Sequence, residues 1–179
     1  MQDTVNYGEL VEPEAVVRNF GNTAENPVVQ FKIPGAGYED DSIIHLGVGE
    51  TDTVMFDEWV ADTTGNPFTM RCSTELATDM NNSNDFVTVP LFVRYMDVGA
   101  IAILAPTDTV DSGKVIVPQA KVKNFGNTDA NFEVLFMITD GYSDIQSVAD
   151  LGVGEERTID FTPWTAIHTG AFATRCSTR

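Results

Sequence analysis

Only a few residues of this chain have the type and spacing to do chemistry. The stretch D-M-N-N-S-N-D sets Asp79, Asn81, Ser83 and Asp85 at alternate positions, the spacing by which a loop wraps oxygen ligands around calcium. It lacks the central glycine and the distal bidentate glutamate of an EF-hand, and Pro90 stands where that glutamate would be. Calcium between Asp79 and Asp85 is the one cofactor these residues suggest, and the same residue types also make ordinary turns, which is the reading expected here. His45 and His168 are the only histidines. No serine or cysteine set in a nucleophile elbow accompanies either. No catalytic, cofactor-binding or metal-binding residue is therefore assigned, and the chain is expected not to be an enzyme.

The two cysteines, Cys72 and Cys176, lie in the alternating stretches FTMRCST and FATRCST. An alternating strand treats a free cysteine as a small buried hydrophobe, and that role is expected for both. Trp59 and Trp164 each end an alternating run, with Phe56 or Phe161 three residues earlier. An indole so placed is either a stacking platform for sugars or the large aromatic of a sandwich core. The core is the expected role.

These residues come in pairs because the chain repeats itself. NFGNT occurs at 19–23 and again at 124–128, and the match extends both ways. Upstream, Thr4-Val5 matches Thr109-Val110, Gly8 matches Gly113 and Pro13 matches Pro118. Downstream, Phe31 pairs with Phe136, Tyr38 with Tyr142, LGVGE at 46–50 with LGVGE at 151–155, Trp59 with Trp164, and RCST at 71–74 with RCST at 175–178. This is a tandem duplication of one module. It predicts two domains, 1–95 and 96–179.

Helical periodicity is almost absent, and short alternating runs are separated by Gly, Asn, Asp and Pro. Strands are expected at 10–20, 27–33, 38–45, 51–59, 66–74 and 84–95. The second repeat should add 97–105, 114–125, 131–139, 142–150, 156–164 and 171–178. This spacing predicts an all-β chain of two tandem immunoglobulin-like antiparallel β-sandwich domains. NFGNT and LGVGE are then expected to be turns whose Asn and Gly residues tolerate positive φ.

Composition narrows the partners. Of 179 residues, 27 are acidic and 10 basic, a formal net charge of −17, with no Lys or Arg cluster to follow a phosphate backbone. Nucleic acid and anionic membrane surfaces are disfavoured, and a solvated acidic surface is expected. No apolar run nears the roughly 18 residues of a membrane span, so no membrane insertion is expected. The polar opening MQDTVNYGEL has no apolar signal stretch, as if a signal were removed or the chain were part of a longer one.

The repeats resemble the CARDB family, the cell-adhesion-related domain found in bacteria. The resemblance rests on DVGAIAILAPTDTVDSGKVIVPQAKVKNFGNT, on LGVGE followed by a strand ending in Trp, and on LATDMNNSNDF. It implies an immunoglobulin-like sandwich arrayed in tandem, an extracellular or cell-surface setting, and a role in adhesion, spacing or accessory binding. The chain departs from that pattern at two places: the first repeat lacks a strand equivalent to DVGAIAILA, and the second lacks one equivalent to FVTVPLFVRY. Open sheet edges seek partners. The expected function is a structural or adhesive subunit that assembles head to tail into a filament, its partners being other copies or neighbouring immunoglobulin-like domains. The alternative is an accessory glycan- or protein-binding module excised from a larger secreted enzyme or surface protein.

Overall fold

The structure, a computed structural model, describes residues 4–62, 64–65 and 67–179. Every regular element in it is a strand, and the chain divides into two compact units, Met1–Arg94 and Tyr95–Arg179.

The first unit contains β1 (Thr4–Asn6), β2 (Leu10–Val11), β3 (Glu14–Arg18), β4 (Val28–Ile33), β5 (Tyr38–Ile43), β6 (Thr51–Met55), β7 (Trp59–Val60), β8 (Phe68–Glu75) and β9 (Phe86–Arg94). One sheet runs β1-β9-β8-β4-β5, and the opposing layer is the antiparallel pair β3-β6 with the short pair β2-β7. Val17 and Val54 from the second layer pack on Val29, Phe31, Met70, Leu91 and Val93 from the first, which makes the unit a two-layer sandwich.

The second unit contains β10 (Val98–Ala105), β11 (Val115–Ile116), β12 (Gln119–Asn124), β13 (Ala130–Ile138), β14 (Tyr142–Leu151), β15 (Glu156–Asp160), β16 (Trp164–Thr165) and β17 (Thr174–Thr178). Its sheets are β14-β13-β17, β10-β12-β15 and the pair β11-β16. Ala120, Val122 and Ile159 face Val134, Phe136, Ile138 and Val148 across the core. The chain is therefore all-β, with one sandwich core per unit.

Three expectations need correction. The strands expected at 10–20 and 114–125 are each broken, at Pro13 and Pro118, because proline has no N–H to continue a ladder; its carbonyl still accepts, from Phe56 N and Phe161 N at 3.0 Å. The runs 51–59 and 156–164 break likewise into β6 and β7, and β15 and β16, so that each tryptophan starts a two-residue strand of its own. The pairing is also not wholly antiparallel: β1, which the alternation did not announce, lies parallel to β9 with Val5 opposite Val93. The beginning of the strand expected from 66 lies outside the described residues, and β8 runs from Phe68.

The repeated NFGNT is a turn for a reason other than positive φ. Gly21 and Gly126 have ordinary φ, and the asparagine at the head of the motif closes the turn. Asn124 Oδ1 accepts from Gly126 N at 2.9 Å, and its Nδ2 donates to Thr128 O at 2.8 Å and Leu151 O at 2.9 Å. Asn19 does the same with Gly21 N, Thr23 O and Leu46 O at 2.8, 2.7 and 3.1 Å. Because Leu46 and Leu151 begin LGVGE, each asparagine ties the two repeated motifs together. Of the two repeated motifs only LGVGE uses positive φ, at its second glycine: Gly49 has φ 73° and Gly154 φ 74°.

Candidate functional site

The two units are built from one plan, so each serves as a control for the other, and their differences mark where something is exposed in one that is covered in the other. In the second unit β12 lies between β10 and β15. In the first, β3 is paired with β6 on one side, and no strand among the described residues covers its other side. The opposite asymmetry affects the other sheet. In the first unit β9 covers β8, whereas β17, the equivalent of β8, is the edge of its sheet.

Burial follows the pairing residue by residue. Ala120, Val122 and Asn124 of β12 are fully buried, whereas their equivalents Ala15 and Asn19 are half-buried and Val17 stays buried, at 8% exposure. Phe125 is 48% exposed where it packs beside Gly99 at the start of β10, and its equivalent Phe20 is 71% exposed. On the other sheet the order reverses. Cys72 and Ser73 are buried under β9, and Cys176 and Ser177 at the uncovered edge are half-buried.

Beside β3 the first unit has an open groove of about 880 Å³. Val16, Arg18 and Phe20 form one wall, Cys72 and Thr74 of β8 form its floor, and the loop through Asp79 stands at its mouth. Arg18 lies over the Phe20 ring at 5.0 Å from its centre, so the wall is apolar with one cation laid against it. In the second unit the corresponding space holds β10. Thr178 Oγ1, the equivalent of Thr74 Oγ1, donates to Val98 O at 3.0 Å.

The residues singled out from sequence fall in different places. Asp79 Oδ1 accepts from Asn81 N at 2.8 Å, and Asn81 Oδ1 accepts from Ser83 Oγ at 2.6 Å, so the alternate positions are used on one another as successive turns. Partial desolvation, with the charges of Asp79 and Glu75 added, pushes the Asp85 carboxyl up. Among the described residues no group of three or more His, Cys, Asp or Glu is arranged to hold a metal ion. His45 Nδ1 contacts Asn26 Oδ1 at 2.9 Å on the surface, and among the described residues neither histidine is hydrogen-bonded to a serine or cysteine.

Trp59 and Trp164 are core residues, 6% and 8% exposed. Trp164 Nε1 donates to Asp140 Oδ2 at 2.8 Å, and Tyr38 packs on Trp59 at 6.4 Å between ring centres. Sequence reasoning missed what holds the far end of each unit: a tyrosine and the aspartate two residues after it clamp one backbone segment. Tyr38 Oη donates to Asp57 O at 2.5 Å while Asp40 Oδ2 accepts from Asp57 N at 2.7 Å. Tyr142 and Asp144 hold Thr162 in the same way, at 2.6 and 2.8 Å. The signal was present in both repeats as Tyr-x-Asp. Burial, with the charges of Asp40 and Asp57 added, leaves the Tyr38 phenol pushed up to about 12.

No protein-family model matches the chain, and no curated protein matches it in sequence. Among solved structures it is similar to the calcium binding domain CBD12 of CALX1.1, with 12% identity over 97% of this chain and 76% of that one and a TM-score of 0.42.

Proposed function

We propose that this chain is a non-enzymatic extracellular module of the CARDB-like kind, structural or adhesive, which joins other immunoglobulin-like modules head to tail by strand addition. The observation that carries the reading is the reciprocal exposure of the two units: each leaves uncovered the sheet edge that the other covers. An uncovered edge presents a row of backbone donors and acceptors, and pairing with a strand from another module satisfies them while alternate side chains fill the space beside it. The edges at β3 and β17 are different surfaces, so a contact between them is heterologous, and a heterologous contact that does not close into a ring propagates as a filament. The acidic surface suits such a role by suppressing association elsewhere. The glycan-platform alternative loses its main support, since both tryptophans are in the cores.

Sedimentation velocity across a hundredfold range of concentration, followed by negative-stain electron microscopy, tests this reading. Fibres with a regular axial repeat of one or two sandwich units, or a weight-average mass that rises with concentration, are expected. A chain that stays monomeric throughout, with the amides of β3 and β17 exchanging freely, would overturn assembly.

A further inference from the structure

We infer that the groove beside β3 is a sequence-selective site for one kind of occupant, a β-strand with the pattern of Tyr95–Ala105 contributed by another repeat of this kind. The inference rests on the strand-addition reading above and names what fills one of its two edges.

The second unit displays the filled form of the site. There β10 runs antiparallel to β12, with Val98 opposite Asn124, Gly99 opposite Lys123, Ala100 opposite Val122, Ala102 opposite Lys121, Ile103 opposite Ala120 and Ala105 opposite Gln119. The chain entering β10 is anchored before the strand begins. Asp97 O accepts from Phe125 N at 2.7 Å and from Gly126 N at 3.0 Å, and Tyr95 O accepts from Asn127 N at 3.1 Å. Tyr95 N in turn donates to Asn127 Oδ1 at 2.8 Å.

Each of these contacts has its counterpart in the first unit with the strand side missing. Phe20, Gly21 and Asn22 stand where Phe125, Gly126 and Asn127 stand. The amides of Phe20 and Asn22 make no hydrogen bond among the described residues. The glycines give the sharpest comparison. A Cβ on Gly126 would lie 2.7 Å from Tyr95 O and 2.8 Å from Asp97 N, so the entering chain touches the turn at a point where only glycine fits. A Cβ on Gly21 would meet nothing nearer than the side chain of Asn19 at 3.1 Å. Neither glycine has a positive φ, so the turn itself does not demand one. Gly21 is thus a glycine that meets one side chain in the open unit and would meet backbone only when a strand is docked.

Carried across the repeat, the register sets the occupant's Val98, Gly99, Ala100, Ala102, Ile103 and Ala105 positions opposite Asn19, Arg18, Val17, Val16, Ala15 and Glu14. The groove selects for glycine on its outer side, where the aromatic ring of the wall lies. Gly99 lies so close to Phe125 that a Cβ there would be 3.2 Å from the ring, and Phe20 offers the same ring to the occupant. The bulky position is Ile103, which packs on the core in the second unit, and in the first it would lie over the half-buried Ala15.

The test uses the full chain and a synthetic peptide of residues Tyr95–Pro106, with a scrambled peptide of the same composition as control. Hydrogen–deuterium exchange at saturating peptide should slow at 14–22 by about tenfold or more and leave 119–127 unchanged. Gly21→Ala should weaken binding by at least about tenfold, the penalty of one misplaced methyl at a close backbone contact. Should that variant fold poorly, peptides carrying Gly99→Pro or Ala102→Pro, opposite Lys123 and Lys121, remove a strand donor without touching the protein and should not protect. Equal protection by the scrambled or proline peptides, no protection at 14–22, or undiminished binding to a folded Gly21→Ala chain would each overturn the inference. Specific peptide binding by a chain that stays monomeric would retain the inference and remove the assembly reading. Fibres without peptide protection would do the reverse.

Discussion

Gly126 and Tyr95 are in contact through their backbones: a Cβ added to the glycine would stand 2.7 Å from the tyrosine carbonyl oxygen, inside any tolerable separation. The equivalent Gly21 has no such neighbour. Gly126→Ala should therefore destabilise the second unit by about 1–3 kcal/mol, the usual cost of overpacking. Gly21→Ala should cost the first unit less, about 1 kcal/mol, because its Cβ would meet only the Asn19 side chain, at 3.1 Å, and no backbone. Denaturant titration monitored by exchange protection of each core distinguishes them, and equal losses would show that the turn, not the entering strand, requires glycine.

Asn124 and Asn19 make the same three bonds in different surroundings. Asn124 is wholly buried, so Asn124→Ala removes its bonds to Thr128 O and Leu151 O out of reach of water and leaves Gly126 N with Asp97 O alone, at a cost of about 1–3 kcal/mol. Asn19→Ala should cost less, since water reaches that half-buried position. Chemical denaturation of the two variants measures the difference, and a larger loss at Asn19 would contradict it.

How far these features can be read from sequence depends on whether their cause is local. Alternation places nearly every strand, and a proline acts on its own residue, so the breaks at Pro13 and Pro118 are legible from the missing N–H alone. The tryptophans fell in the cores as the Phe56 and Phe161 spacing implied. What escaped were relations across the fold. The asparagine of NFGNT reaches a carbonyl 27 residues away, and the Tyr38–Asp40 clamp closes on Asp57; no window of neighbours contains either pair. The missing strands were legible only because the chain repeats, and the groove beside β3 was not, because a cavity depends on how two sheets are set over each other.

The tryptophan cores give the third prediction. Trp59→Ala and Trp164→Ala should each cost their own unit about 3–5 kcal/mol. Trp164→Phe should cost the second unit more than Trp59→Phe costs the first, because it also removes the indole donor from Asp140 Oδ2, and the place of Asp140 in the first unit is taken by Ala36. Acrylamide should quench native fluorescence weakly. Free quenching in the folded chain would move the indoles to the surface.

Acid should act on the second unit through Asp144. Desolvation opposes its ionisation, but donation from Thr162 N at 2.8 Å and Gln146 Nε2 at 2.9 Å prevails and holds its carboxyl below the ordinary value of 3.8. A carboxyl depressed on folding stabilises the fold above its unfolded pKa, and that contribution disappears as pH falls through the folded one. Stability of the second unit should therefore decline below about pH 4, and Asp144→Asn should lessen the decline. The phenol of Tyr38 works at the other end: raised to about 12, it favours the fold below its unfolded pKa near 10, and that support fades as pH rises toward 12. An Asp144→Asn chain with an unaltered acid profile would remove the clamp from the account.

The uncovered edge at β17 makes the two cysteines distinguishable by chemistry. Cys72 lies opposite Val87 of β9 and is buried, whereas Cys176 lies opposite Phe136 on one side and has no strand on the other among the described residues. Burial raises both thiols, so neither is a strong nucleophile, and the rate at which each reacts with a neutral alkylating agent is governed by access. Cys176 should be modified faster than Cys72 by on the order of tenfold or more, and the two should react alike once the chain is unfolded. A peptide of residues Phe86–Tyr95, which repeats the strand that covers Cys72, should slow Cys176 toward the rate of Cys72 if β17 accepts a strand. Equal native rates would mean that the β17 edge is already closed, and a peptide without effect on Cys176 would leave strand addition to the β3 side alone.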